Sequence, residues 1–143
     1  MNRRSVLQSI PALVLLGPGS VAQSTLVQPP MGDVVYELRM YTVYPGKLND
    51  VLTRLRFHTL DIFARHGMRS IAYWTVIDPI GNQPSLIYIL AHASHAAAAI
   101  SWKAFEADPE WRKVRDESEA KGQLVSNIQS IFMKPTDFSP PLP

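Results

Sequence analysis

The feature that most constrains the fold is a change of periodicity within residues 34–48. Residues 34–43 alternate between an apolar set and a mixed set of side chains, which predicts a strand with one apolar and one mixed face. Pro45 and Gly46 end this pattern, and residues 48–63 carry apolar side chains at the spacing of an amphipathic helix. A strand therefore passes into a helix within a few residues, and the rest of the chain is organised around this unit.

Strand and helix patterns then follow in an order that defines the topology. Residues 69–78 and 86–92 are rich in β-branched and aromatic side chains and are joined by a short Pro- and Gly-containing segment, which predicts an antiparallel hairpin. Helical patterns cover residues 94–106 and 108–121, and residues 124–133 form a last strand. This order predicts an α+β fold of the ferredoxin-like βαββαβ type, with a four-stranded antiparallel sheet and helices on one face. Because residues 86–92 are apolar on both alternating sets of side chains, we expect the other face to be covered as well.

Charged residues of the first helix predict its exposed side and its end. Asp50 with Arg54, and Asp61 with Arg65, are spaced four residues apart, which favours ion pairs along a solvated helix face. Gly67 is expected to stop this helix in the left-handed conformation.

Two capping residues are predicted in the second helical region. Ser94 is expected to cap a helix whose inner positions include Ile100, Ala104 and Phe105. Asp108, followed by a proline and a glutamate, is expected to cap a new helix, since proline at the first helical position costs no hydrogen bond.

Composition divides the chain of 143 residues into four segments. Residues 1–22 combine a basic start, a short apolar run and a small-residue ending, which is typical of a cleaved export signal. Residues 23–33 contain paired prolines and no apolar period, and are expected to form a flexible lead. Residues 34–134 form the folded domain, and the proline-rich tail of residues 135–143 cannot continue a sheet ladder.

The predicted signal places the mature protein in the periplasm or outside the cell. Its paired arginines, Arg3 and Arg4, are typical of a twin-arginine signal, but an ordinary Sec signal can also carry two basic residues, so both export routes stay open. The apolar run is shorter than a membrane-spanning helix requires and no later run is longer. We therefore expect no embedding in a membrane.

Charge and cysteine content exclude several kinds of site. Loss of Arg3 and Arg4 with the signal leaves 12 of the 14 basic residues against 12 acidic ones, so the composition does not predict nucleic-acid binding. The chain contains no cysteine, which excludes disulfides and zinc–thiolate sites. Stability is therefore expected to come from core packing and from association with a second copy.

A set of short motifs carries a resemblance to a known family. In chain order the motifs are YELRMYT, the PGK turn, RHGM, YWT, FEADPEW, ESEAKG and PTDFSP. In this order they resemble the NIPSNAP family, over Tyr36 to Pro140, and FEADPEW with ESEAKG is the most specific combination. Ala72 departs from the pattern, because related sequences commonly have glycine there.

The resemblance implies a dimeric α+β barrel, in which two ferredoxin-like sheets face each other and the helices lie outside. This barrel superfamily includes cofactor-free monooxygenases, haem enzymes, small-ring isomerases and proteins without a known reaction. We expect an exported homodimer that binds a small, mostly apolar molecule between sheet and helices. The alternatives are a cofactor-independent monooxygenase or isomerase, and a structural or protein-interaction module. No cofactor is expected.

Two candidate catalytic residues lie on the mixed face of the first strand. Arg39 and Tyr41 share this face with Glu37, so Arg39 is a candidate for holding an anionic or carbonyl oxygen, and Tyr41 for donating a hydrogen bond. The structural alternative, which we favour, is that Arg39 pairs with Glu37 or with an acid of a second copy.

Histidines supply further candidates. His66, in the last turn of the first helix, is the third candidate catalytic residue, as a general base or haem ligand, although a capping role at the helix end is favoured. His58, Tyr73 and Trp74 are candidate ligand-binding residues near it. His58 and His66 lie eight residues apart, about 80° around a helix, so they do not form the two-histidine pair of a zinc site.

Trp102 completes the candidate ligand-binding residues. It belongs to an aromatic set that also contains Trp74, Trp111 and Phe105, although large aromatic side chains more often serve as core. His92 and His95 flank a strand-to-helix junction, where imidazoles commonly bond loop carbonyls. No metal site is predicted.

Overall fold

The computed structural model describes residues 34–143, so the predicted signal (1–22) and the whole of the predicted lead (23–33) lie outside the described residues. In chain order the elements are β1 (Val35–Val43), α1 (Leu48–Arg54), a π-helical segment (Leu55–Thr59), α2 (Leu60–Arg65), β2 (Arg69–Thr75), β3 (Leu86–His92), α3 (His95–Ala107), α4 (Pro109–Ser118) and β4 (Val125–Met133).

The four strands form one sheet in the order β2-β3-β1-β4, with every neighbouring pair antiparallel. The long helical connection lets β4 return to the free side of β1, while the short link keeps β2 and β3 together as a hairpin. This is the order of the ferredoxin-like split motif. The prediction of an α+β fold with a four-stranded antiparallel sheet and helices on one face is confirmed.

The first helical region is continuous from α1 through the π-helical segment to α2, because the residues at both junctions keep helical dihedral angles. Within the π-helical segment, the Thr59 hydroxyl donates to the Arg54 carbonyl at 3.2 Å. The wider turn displaces the usual backbone hydrogen bond to this carbonyl oxygen, and the hydroxyl occupies the oxygen instead. The helix buries Val51, Ile62 and Phe63 almost completely against the sheet.

The predicted ion pairs along this helix are wrong. Arg54 points into the protein, where it bonds Glu119 at 2.9 Å, and Arg65 bonds Asp108 at 2.8 Å rather than Asp61. Local spacing cannot reveal these partners, because they come from the region of α4, which packs beside the first helix only in the folded chain.

The helix caps in the second region agree with the sequence, but one inner position does not. Ser94 accepts a hydrogen bond from the Ala97 N–H at 3.0 Å, and Asp108 accepts from the Glu110 N–H at 2.8 Å. α3 buries Ala98 and Phe105, whereas Ile100 is 71% exposed. At about 100° per residue, Ile100 lies about 200° from Ala98 and so faces away from the core.

The two faces of the sheet differ in their surroundings. On the helix side, Tyr88, Leu90 and Phe63 are essentially inaccessible and form the centre of the core. The opposite face, called here the open face, carries apolar side chains that no helix of residues 34–143 covers. Its partly or largely exposed members are Leu38, Met40, Trp74, Ile87, Ile89 and Ile131.

None of the helices within residues 34–143 has the length and apolar character needed to cross a membrane.

Candidate functional site

A buried carboxylate on the helix side of β1 gathers polar side chains from four elements. Glu37 is 1% exposed, and its Oε1 accepts hydrogen bonds from Arg39 Nη1 at 3.1 Å and from Ser130 Oγ at 2.6 Å. Its Oε2 accepts from Trp102 Nε1 at 2.7 Å and lies 2.8 Å from His92 Nε2. These five residues are called the Glu37 cluster.

Strand register explains why these side chains meet. Arg39 is directly opposite Tyr88 on β3 and Ser130 on β4, and residues directly opposite in an antiparallel sheet share a face. His92 ends β3 on the same face, two positions beyond the partner of Glu37. Trp102 reaches the carboxylate from α3, which lies across this side of the sheet.

The cluster keeps both of its opposite charges. Burial by itself would raise the pKa of Glu37, but the hydrogen bonds with His92, Ser130 and Trp102 and the charge of Arg39 outweigh it and lower this pKa to about 2. Burial by itself would lower the pKa of Arg39, whereas the neighbouring Tyr88, Tyr41 and Glu37 raise it above its ordinary value. A carboxylate and a guanidinium are therefore held together beneath α3.

Three tyrosines extend the cluster toward β2. Tyr88 Oη donates to Tyr41 Oη at 2.8 Å, and the Tyr73 ring stacks on the Tyr88 ring with 5.2 Å between centroids. Burial raises the pKa of Tyr88 well above its ordinary value, and the neighbouring Tyr41 raises it further. The Tyr88 hydroxyl is therefore a neutral hydrogen-bonding group at physiological pH.

The Arg39 side chain lies at the boundary between core and surface, with 15% of it exposed. Its guanidinium lies over the Trp102 ring, 4.2 Å from the centroid, an arrangement that favours a cation on an aromatic face. Beside it on the same face of the edge strand, Ile128 and Phe132 are 48% and 39% exposed. The charged cluster can thus be approached along the helix side of β4.

Two buried nitrogens of the cluster lack a hydrogen-bond partner among the described residues. They are Arg39 Nε and His92 Nδ1. Buried polar atoms are normally bonded. Arg39 Nε can donate to a further acceptor, and His92 Nδ1 can donate or accept according to its tautomer.

His66 lies in a different polar group, at the junction of α2 and α4. It is the C-cap residue of α2, and its Nε2 lies 2.7 Å from Asp108 Oδ2. Arg65 donates to the same carboxylate oxygen at 2.8 Å. Hydrogen bonds from Arg65 and then His66 lower the pKa of Asp108 despite some desolvation. This arrangement agrees with the capping interpretation of His66 that the sequence favoured.

The remaining predicted ligand-binding residues do not converge. Tyr73 and Trp102 join Arg39 and Tyr41 around the Glu37 cluster, but Trp74, the next residue after Tyr73, projects onto the open face and is 49% exposed. His58 lines a cavity of about 410 Å³ between α1 and α4, together with Lys47, Arg54 and Glu117. The structure therefore brings four of the seven predicted residues together.

Sequence reasoning missed Ser130 and Tyr88 and gave Glu37 and His92 only structural roles. A usable signal existed for Glu37, since an acid in the middle of a mostly apolar strand must find donors when the strand is central. Ser130, His92 and Trp102 carried no such signal, because they lie 93, 55 and 65 residues away.

Metal ligation finds no support in the described region. Within residues 34–143, no three His, Asp or Glu side chains are grouped so that they could hold a metal ion.

A family model for NIPSNAP matches residues 36–140. The chain belongs to the NIPSNAP family. The match includes every strand and helix except the first residue of β1, and therefore contains the whole Glu37 cluster. No match was found among curated proteins.

Solved NIPSNAP structures share the fold. An uncharacterized NIPSNAP-like domain protein from Burkholderia xenovorans is 22% identical, with a TM-score of 0.64, over 77% of this chain and 91% of that one. A NIPSNAP family protein from Agrobacterium tumefaciens is 23% identical, also with a TM-score of 0.64, over 75% and 90% of the two chains. A putative antibiotic biosynthesis monooxygenase from Bacteroides thetaiotaomicron is more distant, at 16% identity and a TM-score of 0.55, over 79% and 97%. At these identities the likeness concerns the fold alone.

Proposed function

We propose that this NIPSNAP protein is an exported homodimer that binds a small, mostly apolar molecule carrying an oxygen acceptor. The binding site lies between the sheet and α3, on the β4 side of the Glu37 cluster. The observation that carries the proposal is Arg39, a charged guanidinium with an unpartnered buried Nε, beside half-exposed apolar side chains.

The chemistry of the cluster specifies the polar end of such a ligand. Glu37 already accepts hydrogen bonds at both of its oxygens, so it has little capacity for a further donor. Arg39 uses Nη1 for Glu37 and keeps donors for another acceptor. A carbonyl or anionic oxygen fits this position, because a guanidinium bonds oxygens in its own plane while its face stacks on Trp102.

The apolar part of the ligand would lie on Ile128, Phe132 and Trp102. Ile128 and Phe132 face the helix side of an edge strand, where they remain 48% and 39% exposed. Sites of this kind typically combine an apolar wall with a few polar groups that fix orientation.

A second copy is the proposed partner of the open face. Trp74 and Ile131 are 49% and 48% exposed there, and both belong to an apolar surface that extends across all four strands. Contiguous apolar surface of this kind is a common mark of association. A face-to-face pair of sheets would bury it in both copies.

Export is proposed from residues 1–22 and agrees with the absence of cysteine, which makes folding independent of the redox state of the compartment. Fractionation of producing cells tests it directly. The mature chain should be found outside the cytoplasm with an N-terminus near residue 23, and an intact cytoplasmic protein would contradict export.

We assign no reaction to the site. The predicted proton carrier, His66, bonds Asp108 at the junction of α2 and α4, and no side-chain hydrogen bond or ion pair among the described residues joins it to the Glu37 cluster. The oxygenase and isomerase alternatives thus lack a supporting hydrogen bond or ion pair.

Native mass spectrometry tests the binding proposal. The protein is purified from its native compartment and measured under non-denaturing conditions. We expect a dimer that retains a small molecule, and loss of that molecule in Arg39→Gln. The matched control is Arg56→Gln, because Arg56 is exposed on the first helix and should leave retention unchanged. Equal retention in the two variants would place the ligand elsewhere, and a ligand-free monomer would favour the structural-module alternative.

A further inference from the structure

The C-terminal segment crosses one end of the open face. Met133, Tyr36, Ala91 and Arg69 form one cross-strand row from β4 to β2. Residues 135–143, called here the strap, leave β4 at one edge of this row, and the Pro143 carbonyl accepts a hydrogen bond from Arg69 Nη1 at the other edge. The row is about 14 Å wide at about 4.8 Å per strand spacing, so the strap spans the sheet.

Burial along the open face shows where the strap lies. Tyr36, in the crossed row, is 7% exposed, whereas Trp74 and Ile131 on the uncovered part are about half exposed. The strap is thus a wall at one end of the open face.

The composition of the strap suits this position. Four of its nine residues are proline, and proline has no backbone N–H. A segment with few donors can lie on apolar side chains with fewer unsatisfied polar groups than an ordinary loop would bury.

Beneath the strap lies an apolar cavity. It has a volume of about 180 Å³ and is lined by Tyr36, Ile71, Ile89, Met133, Lys134, Pro135 and Leu142. Lys134 supplies the only charged side chain of this lining. An engineered, enclosed apolar cavity of about 150 Å³ binds benzene, so this partly open one, at about 180 Å³, has the volume for a molecule of similar or slightly larger size.

We propose that the strap and the open face together form a second binding site, which takes an uncharged hydrocarbon or single-ring aromatic molecule, with Leu142 closing it and Arg69 fastening the strap. This site lies on the opposite face of the sheet from Arg39 and is independent of the site proposed above.

Toluene is the probe, and purified full-length protein labelled with ¹³C at the methionine methyl groups reports its position by NMR. We expect a saturable shift of the Met133 methyl. Met68 is fully buried in the core on the helix side and Met40 lies on the open face away from the cavity lining, so neither should move. Shifts of all three methyls together, or no saturable shift of Met133, would overturn the proposal.

Two variants in the same segment test the role of the strap. Leu142→Ala should weaken toluene binding about tenfold, since it removes apolar contact at the cavity. Phe138→Ala is the matched control, because Phe138 is 84% exposed in the strap and is absent from the lining. Equal toluene affinity in the two variants would overturn the proposal. A dimer in which the second copy displaces the strap and the Met133 shift is lost would also overturn it.

The proposals for the two sites can be refuted independently of each other. Arg39→Gln should leave the Met133 shift unchanged, and Leu142→Ala should leave retention of the native ligand unchanged. Loss of toluene binding in Arg39→Gln would contradict the independence of the two sites.

Discussion

Replacing Glu37 by glutamine tests whether the cluster depends on a charged carboxylate. Glu37→Gln keeps the size of the side chain but removes its negative charge. It also places an amide NH₂ where one oxygen now accepts hydrogen bonds. Arg39 then keeps a largely buried positive charge without the carboxylate that faces it at 3.1 Å.

The magnitude follows from the pKa of Glu37. Burial by itself would raise this pKa, but the hydrogen bonds and the nearby charge lower it from its ordinary value of 4.5 to about 2. At about 1.4 kcal/mol per pH unit, this corresponds to about 3 kcal/mol. Solvent screening on the helix side of β4, where the Arg39 side chain is 15% exposed, reduces this to about 2 kcal/mol. The misplaced amide donor adds about 1 kcal/mol. We therefore expect a loss of about 3 kcal/mol in the free energy of unfolding at pH 7.

The same pKa gives the pH dependence. Because the folded-state pKa is below the unfolded one, the charge contribution is complete above about pH 4.5 and disappears as the pH falls toward 2. Urea unfolding of wild type and Glu37→Gln should thus show a difference that shrinks from about 3 kcal/mol at pH 7 to about 1 kcal/mol near pH 2.

A surface substitution provides the control. Glu117 is 67% exposed and lies 3.9 Å from Lys113, so Glu117→Gln should change stability by less than about 0.5 kcal/mol. If Glu37→Gln is as mild as this control, or if its effect is independent of pH, the reasoning about a charge-holding cluster is refuted.

Three further predictions concern other parts of the fold and the assembly. Arg54→Met should lower the free energy of unfolding by about 2 kcal/mol, because Glu119 loses a bond to an inward-facing cation; urea unfolding measures it, and an unchanged midpoint would contradict the contact. Ser94→Ala should cost about 1 kcal/mol through loss of an N-cap, and Ser94→Asp should restore most of it in thermal melts. Trp74→Glu should convert a dimer to monomer in sedimentation, whereas Phe57→Glu, at a position 63% exposed on the helical side, should not; a dimer in both would exclude the open face as the interface.

Local patterns in the sequence predicted the elements and their ends well. The alternation in residues 34–43 corresponds to the two faces of β1, and Ser94 and Asp108 cap the helices that they were expected to cap. These features depend on interactions over a few residues, which spacing in the sequence records directly. The order of the elements then left the ferredoxin-like topology as the natural arrangement.

Contacts between distant segments account for what the sequence did not predict. Arg54 was expected on a solvated face, yet its partner Glu119 lies 65 residues away. The π-helical segment was not predicted either. The local interaction that accompanies it is the hydrogen bond from the Thr59 hydroxyl to the Arg54 carbonyl, and a single threonine does not identify such a segment in a sequence.

One part of the site prediction could have been improved from the sequence. Tyr73 and Trp74 were both assigned to one pocket, although adjacent strand residues project to opposite faces. In the sheet, Tyr73 joins the aromatic core through Tyr88, whereas Trp74 lies on the open face. The alternation already separated a core tyrosine from a surface tryptophan.

The composition of the Glu37 cluster is itself an argument for a binding role over a purely structural one. Replacing a buried ion pair by apolar side chains of similar size is often neutral or stabilising, so stability alone does not explain why Glu37 and Arg39 occupy the centre of the sheet. What the carboxylate does provide is a fixed position for the guanidinium, which it holds at 3.1 Å while Trp102 supports its face. A guanidinium fixed this way, and still 15% exposed, loses little conformational freedom when it binds an oxygen. The arrangement therefore favours recognition of a ligand by Arg39, with Glu37 as the residue that positions it.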